Sequence, residues 1–133
     1  AGVESVNLDT LLKTADVVSL HCPLLPETTH LINRETIALM KPGAILINTS
    51  RGQVVNEVDI VAALEQGRIG GAGLDVFEEE PLPAYSPLRK FNNVIFTSHA
   101  ASVSERAVDT LKRKAAEAAR DFLQGKRPSS ALV

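Results

Sequence analysis

Cysteine is nearly absent from this chain. Cys22 stands alone, so no disulfide can form within the polypeptide, and that usage fits a reducing compartment, with the cytoplasm as the expected location. Long apolar runs are missing too: nothing approaches the roughly 18 residues that span a bilayer, so no membrane partner is expected. No signal-peptide pattern opens the sequence, and it does not begin with methionine, as befits a processed or excised segment. There is no dense basic run and the net charge is −2, which argues against nucleic acid as a partner. No metal site is expected. Internal repeats and low-complexity tracts are absent, and so is any Gly-x-Gly-x-x-Gly turn of the kind that seats a pyrophosphate on a helix N-terminus. What remains is 133 residues, 44% hydrophobic and 23% charged, a composition that buries a core and folds as a globular unit.

Helix and strand signals alternate along the chain. Leu8, Leu11 and Leu12 form a short apolar face behind Asn7, a suitable N-cap. Residues 16–20 read as a buried strand ended by His21-Cys22-Pro23. Asn33 is placed to cap a second helix with Ile37, Leu39 and Met40 on one side, and Lys41-Pro42-Gly43 stops it. Residues 44–48 are a near-continuous apolar run, typical of a parallel strand covered on both faces. A third helix is expected over 57–66, with Val58, Val61, Ala62 and Leu64 apolar and Gly67 at its end. The strand at 69–76 is rich in glycine, which implies close packing against its backbone. A loop over 77–93 carries Glu78-Glu79-Glu80 and three prolines, Pro81, Pro83 and Pro87. Residues 94–97 form a fourth strand. The longest helix runs over 104–124, with Val108, Leu111, Ala115, Ala118, Ala119 and Phe122 on one side and Gly125 closing it. This order predicts an α/β fold with a doubly wound parallel sheet and right-handed crossovers. About four strands are legible where a complete dinucleotide-binding domain has about six, so the first visible strand is not the first of the fold.

In such sheets, ligands collect outside the carboxyl ends of the strands. That rule selects residues 21–26, 48–52, 75–80 and 97–102. Arg51 could grip a substrate carboxylate with its guanidinium fork or polarise the adjacent carbonyl; otherwise it is a surface arginine paired with an acid. His99 suits proton exchange with a ketone or hydroxyl oxygen, while His21 and His30 read as structural or surface imidazoles. Glu80 would hydrogen-bond and orient that imidazole, with Pro81 biasing it towards extended geometry. Of Glu78, Glu79 and Glu80, at least one is a solvated acid. Asp75 could accept a hydrogen bond from a cofactor amide. Cys22 has no close lysine or arginine and is not a nucleophile candidate.

Residues 15–33, 40–57, 71–83 and 92–105, with the SRG, EEP and SHA loops at 50–52, 79–81 and 98–100, resemble the D-isomer-specific 2-hydroxyacid dehydrogenases, which include phosphoglycerate, glycerate and glyoxylate/hydroxypyruvate enzymes. The resemblance covers nearly the whole chain. It implies a Rossmann-like α/β fold, second half only, with residues 1–125 as part of an NAD-binding domain and 126–133 as a tail leading back towards a substrate domain. It also implies His99 as proton donor and acceptor, Glu80 as its support, and Arg51 as the ligand of the substrate's carboxylate and carbonyl. Contacts to NAD, or NADP, fall on Cys22, Pro23, Thr49, Ser50, Arg51, Asp75, His99, Ala100 and Ala101. The implied substrate is a small 2-hydroxy or 2-keto acid. The family usually has proline before the histidine and glycine soon after it; here Ser98 precedes, and Ala100 and Ala101 add methyl groups where backbone normally approaches nicotinamide. The glycine fingerprint, the ribose-reading acid and the substrate domain do not occur in this sequence. The isolated chain is therefore expected to be inactive and to self-associate, or to pair with a chain supplying the missing half, through the open edge of the strand at 16–20. The alternative is a non-catalytic module of the same fold that senses NAD. A third possibility, the adenosylhomocysteine hydrolases, does not explain the three loops together.

Overall fold

The computed structural model describes residues 2–128. It comprises two compact units, the second beginning at Ser102. The tail expected at 126–133 lies partly outside the described residues, from 129 onward.

The first unit is built on a four-stranded sheet in the order β1 (Val17–Leu20), β2 (Ile45–Asn48), β3 (Gly71–Leu74) and β4 (Val94–Phe96). Every pairing is parallel. The register puts Val18, Leu46, Ala72 and Val94 in one row, and Leu20, Asn48, Leu74 and Phe96 in the next. Side chains alternate across a strand, so both rows share a face. That face is buried, apart from a half-buried Phe96. Three helices, α1 (Leu8–Thr14), α2 (Arg34–Leu39) and α3 (Glu57–Glu65), pack in sequence on one another and send Leu12, Ile37, Ile60, Ala63 and Leu64 into the same core. Each buried Leu or Ile of this set contributes about 1.5–3 kcal/mol. The opposite face differs: Val17 is 54% exposed and Ile95 73% exposed, with Ile45 and Ile47 half-buried. Cover on both faces of 44–48 is therefore not complete within the described residues.

Local chemistry starts each helix where the sequence indicates. Asn7 accepts from the Thr10 amide at 2.9 Å. Asn33 accepts from the amides of Glu35 and Thr36, and the Thr36 hydroxyl accepts in return from the Asn33 amide at 2.8 Å, closing a capping box. Asn56 caps α3 through the Asp59 amide at 3.1 Å. One apolar assignment needs correction. Val58 is 74% exposed, and the buried side of α3 is Ile60, Ala63 and Leu64. At about 100° per residue, position 58 lies nearly opposite position 60, so the buried stripe follows i, i+3, i+4 from Ile60.

The second unit contains α4 (Glu105–Leu123), capped by Ser104 on the Ala107 amide at 3.1 Å. None of its residues is buried, and Leu111 and Phe122 on its apolar side are 71% and 76% exposed.

Candidate functional site

Because the strands are parallel, their carboxyl ends share one rim, and the four loops singled out from the sequence all leave from it. The β2 exit is organised by Asn48, the last inward residue of its strand and 1% exposed. Its Oδ1 accepts from the Ser50 amide at 3.0 Å and the Ser50 hydroxyl at 2.9 Å, while its Nδ2 donates to the Arg51 carbonyl at 2.9 Å. A polar side chain buried this deeply is satisfied on both ends, and it sets the path of the Thr49-Ser50-Arg51 turn. Sequence reasoning missed Asn48; its signal was a lone amide ending an otherwise apolar run.

The β3 and β4 exits are joined by Asp75, which is buried. Its carbonyl accepts from the His99 amide at 2.8 Å. Its carboxylate takes the next two amides, Ala100 on Oδ1 at 2.8 Å and Ala101 on Oδ2 at 2.9 Å, together with the Thr97 hydroxyl on Oδ1. Three successive amides thus converge on one residue. His99 has φ +54°, the left-handed region that side chains other than glycine rarely adopt, and this turn aims those amides at Asp75. Burial raises the Asp75 carboxyl, but the hydrogen bonds from Thr97, Ala101 and Ala100 and the nearby His99 outweigh it. The net result is a carboxyl held below its ordinary value.

Glu80 reaches His99 from the other side. Its Oε2 lies 2.8 Å from His99 Nδ1, and its Oε1 accepts from the Phe77 amide at 3.0 Å. The bond to His99 and then that to Phe77 hold the Glu80 carboxyl below its ordinary value, against some desolvation and the repulsion of Asp75. An ionised carboxylate only accepts, so Nδ1 carries the hydrogen and Nε2 is left to exchange a proton. The Glu80–Pro81 peptide is cis.

Arg51 makes no contact with this pair; the link to it runs through Gly52. A Cβ on Gly52 would sit 1.8 Å from the Phe77 carbonyl oxygen, so glycine here permits close approach of two backbones. The sequence Arg51, Gly52, Phe77, Glu80, His99 is then a continuous line of contacts. The Arg51 guanidinium is exposed, donates from Nη1 to the Ser50 carbonyl at 2.6 Å, and has no carboxylate within ion-pair distance among the described residues.

A cleft of about 690 Å³ opens at the rim, lined by Phe77, Glu80, Leu82, Phe96, Ser98 and His99 among others, with the Phe77 and Phe96 rings 6.1 Å apart. Arg51 does not line it. Cys22 is a half-buried free thiol packed against the core, and Pro23 beside it is exposed at the β1 exit. Thr49 is exposed and Ser50 half-buried. His21 lies 2.9 Å from the Ser19 hydroxyl, and His30 lies 3.2 Å from Glu78 Oε1; neither lines the cleft. The three glutamates separate cleanly: Glu80 meets His99, Glu78 meets His30 and Glu57, and Glu79 is exposed.

Comparison with known proteins agrees with this geometry. Residues 1–101 match the D-isomer specific 2-hydroxyacid dehydrogenase, NAD binding domain family. The glyoxylate reductase of Korarchaeum cryptofilum is 48% identical over 127 residues, 96% of this chain and 38% of that protein. The D-3-phosphoglycerate dehydrogenase of Synechocystis sp. is 47% identical over 131 residues, 98% of this chain and 24% of that protein. The crystal structure of D-lactate dehydrogenase with NAD+ from Lactobacillus jensenii superposes with a TM-score of 0.90 at 34% identity, over 96% of this chain and 42% of that one. The chain thus spans well under half the length of these relatives. With a parallel sheet, a histidine–glutamate pair at its rim and this match over three-quarters of its length, the chain belongs to the D-isomer specific 2-hydroxyacid dehydrogenase NAD-binding domain family.

Proposed function

We propose that this chain is the second half of the NAD-binding domain of an oxidoreductase acting between a nicotinamide cofactor and a small D-2-hydroxy acid or 2-keto acid. The observation that carries the reading is the His99–Glu80 pair at 2.8 Å on the rim of the sheet. Glu80 fixes the ring and the Nδ1 hydrogen, which leaves Nε2 to give a proton to a keto oxygen or take one from a hydroxyl. Arg51, with no acid partner among the described residues, is suited to hold the substrate carboxylate with the rest of its fork.

The donor set fits the nicotinamide end of NAD or NADP. Among the described residues, Oδ2 of Asp75 takes only the Ala101 amide and keeps a lone pair for a carboxamide N–H. Cys22, Pro23, Thr49, Ser50, Ala100 and Ala101 complete the proposed wall around that end. When bound, the cofactor supplies or accepts the hydride. The pyrophosphate end requires a glycine turn that this sequence does not contain. In this reading residues 1–125 form the half-domain, 126–133 lead towards a substrate domain, and the setting is cytoplasmic.

Two constructions separate this from a non-catalytic module. The chain grafted in place of the matching 127 residues of the Korarchaeum glyoxylate reductase is expected to reduce glyoxylate with NADH, and the chain alone to show little or no turnover. A folded graft that binds NADH but reduces nothing supports the module; normal turnover by the chain alone overturns the half-domain. Self-association is the accompanying proposal, because β1 is an edge strand with Val17 54% exposed. Sedimentation showing a monomer at high concentration would refute it.

A further inference from the structure

Glu78 is bonded through its amide, its carbonyl and one carboxylate oxygen, although it sits in an exposed acidic loop. Its amide donates to Glu57 Oε1 at 2.6 Å, and its carbonyl accepts from Gln53 Nε2 at 3.2 Å. Its Oε1 accepts from the Glu57 amide at 3.0 Å and lies 3.2 Å from His30 Nε2. The partners come from two further segments, which are themselves sewn together. The His30 amide donates to the Gln53 carbonyl at 2.8 Å, the Ile32 amide to Val54 at 3.0 Å, and the Asn56 amide to Ile32 at 2.8 Å. His30 holds φ +52°, and its carbonyl accepts from Asn33 Nδ2 at 3.0 Å. A residue in that strained region persists where its surroundings over-determine it.

The arrangement also gathers like charges. Burial pushes the Glu57 carboxyl above its ordinary value, the Glu78 amide partly offsets that, and the charges of Glu78 and Glu79 add to the rise. What this clamp fixes is the turn in which the Phe77 amide holds Glu80 Oε1 and so points Oε2 at His99. Gly52 packs the same turn against the loop of Arg51.

We propose that Glu78, clamped by Glu57 and His30, is a positioning residue for the Glu80–His99 pair, fixing the turn that aims the Glu80 carboxylate at the imidazole. The proposal rests on reading that pair as the proton-transfer machinery. Glu78 touches neither substrate nor cofactor in this role.

The test is the titration midpoint of the Glu80 side-chain carboxyl, read by carbon-13 NMR on the full chain. His99→Gln calibrates it: loss of the imidazole is expected to raise the midpoint. Glu78→Ala removes a neighbouring negative charge, so electrostatics alone would lower the Glu80 midpoint or leave it. Positioning demands the opposite sign, a rise of at least half that seen in His99→Gln. Glu78→Gln keeps an oxygen for the Glu57 amide and is expected to bring the midpoint back towards wild type. Where Glu78→Ala does not fold, Glu57→Ala gives the same opposition of signs. An unchanged or lowered midpoint in the folded alanine variant overturns the proposal. No rise in His99→Gln overturns the pairing itself, and the proposal with it.

Discussion

Replacing Asp75 by Asn probes the clamp that forms the histidine loop. The substitution keeps size but leaves one carbonyl oxygen where two carboxylate oxygens now accept from Thr97, Ala100 and Ala101. Hydrogen bonds to a charged group are worth about 1.5–3 kcal/mol each. Two of the donors belong to exposed alanines that water can reach, so the sum is discounted to a net loss of about 2–3 kcal/mol at neutral pH. Urea denaturation at pH 7 measures the loss. Hydrogen exchange locates it, with protection of the Ala100 and Ala101 amides falling by about thirty- to a hundredfold, at 1.4 kcal/mol per factor of ten. The pH dependence follows from the sign of the shift. Asp75 has a folded value below its ordinary 3.8, so the unfolded chain binds more protons in the window between the two. Its stabilisation is therefore complete above about 3.8 and disappears as pH falls through the lower, folded value. Glu80, held below 4.5, adds a limb of the same sign. Asp75→Asn should remove its own share of the acid limb and leave that of Glu80. A variant within about 0.5 kcal/mol of wild type, with both amides still protected, would refute the clamp.

Three further substitutions test the frame around it. Gly52→Ala puts a methyl group 1.8 Å from the Phe77 carbonyl oxygen, and because backbone cannot swing aside it should cost about 3 kcal/mol or more in a urea titration. Asn48→Ala strips a 1% exposed side chain of bonds to Ser50 and Arg51 and should cost about 2–4 kcal/mol by the same measurement. Ile95→Lys, at a position 73% exposed, should leave the thermal midpoint of the isolated chain within about 2 °C, since only surface is altered.

Much of this architecture is legible in the amino-acid sequence. Asn7 and Asn33 announce helix starts because a short polar side chain can satisfy orphan amides. Apolar runs ended by polar clusters marked the strands, and parallel order then put Arg51, Glu80 and His99 at one rim. The face of α3 was misread because Val58 is apolar and sequence alone does not show where the stripe begins; Ile60 settles it by burial. Glu78, Glu79 and Glu80 are identical in composition and differ only through partners distant along the chain, Glu57, His30 and His99. Asn48 escaped notice for a related reason: a buried amide is informative only once both of its hydrogen-bonding ends are seen to be satisfied.

Steady-state kinetics of glyoxylate reduction by the graft, with His99→Gln and Arg51→Gln introduced separately, bears most directly on the proposed division of labour at the rim. Loss of the proton donor should lower kcat by about 10²–10⁴-fold with little change in KM. Loss of the guanidinium should chiefly raise KM. If both variants keep kcat and KM within about twofold of the unaltered graft, a change worth under about half a kcal/mol, neither residue does the work assigned to it.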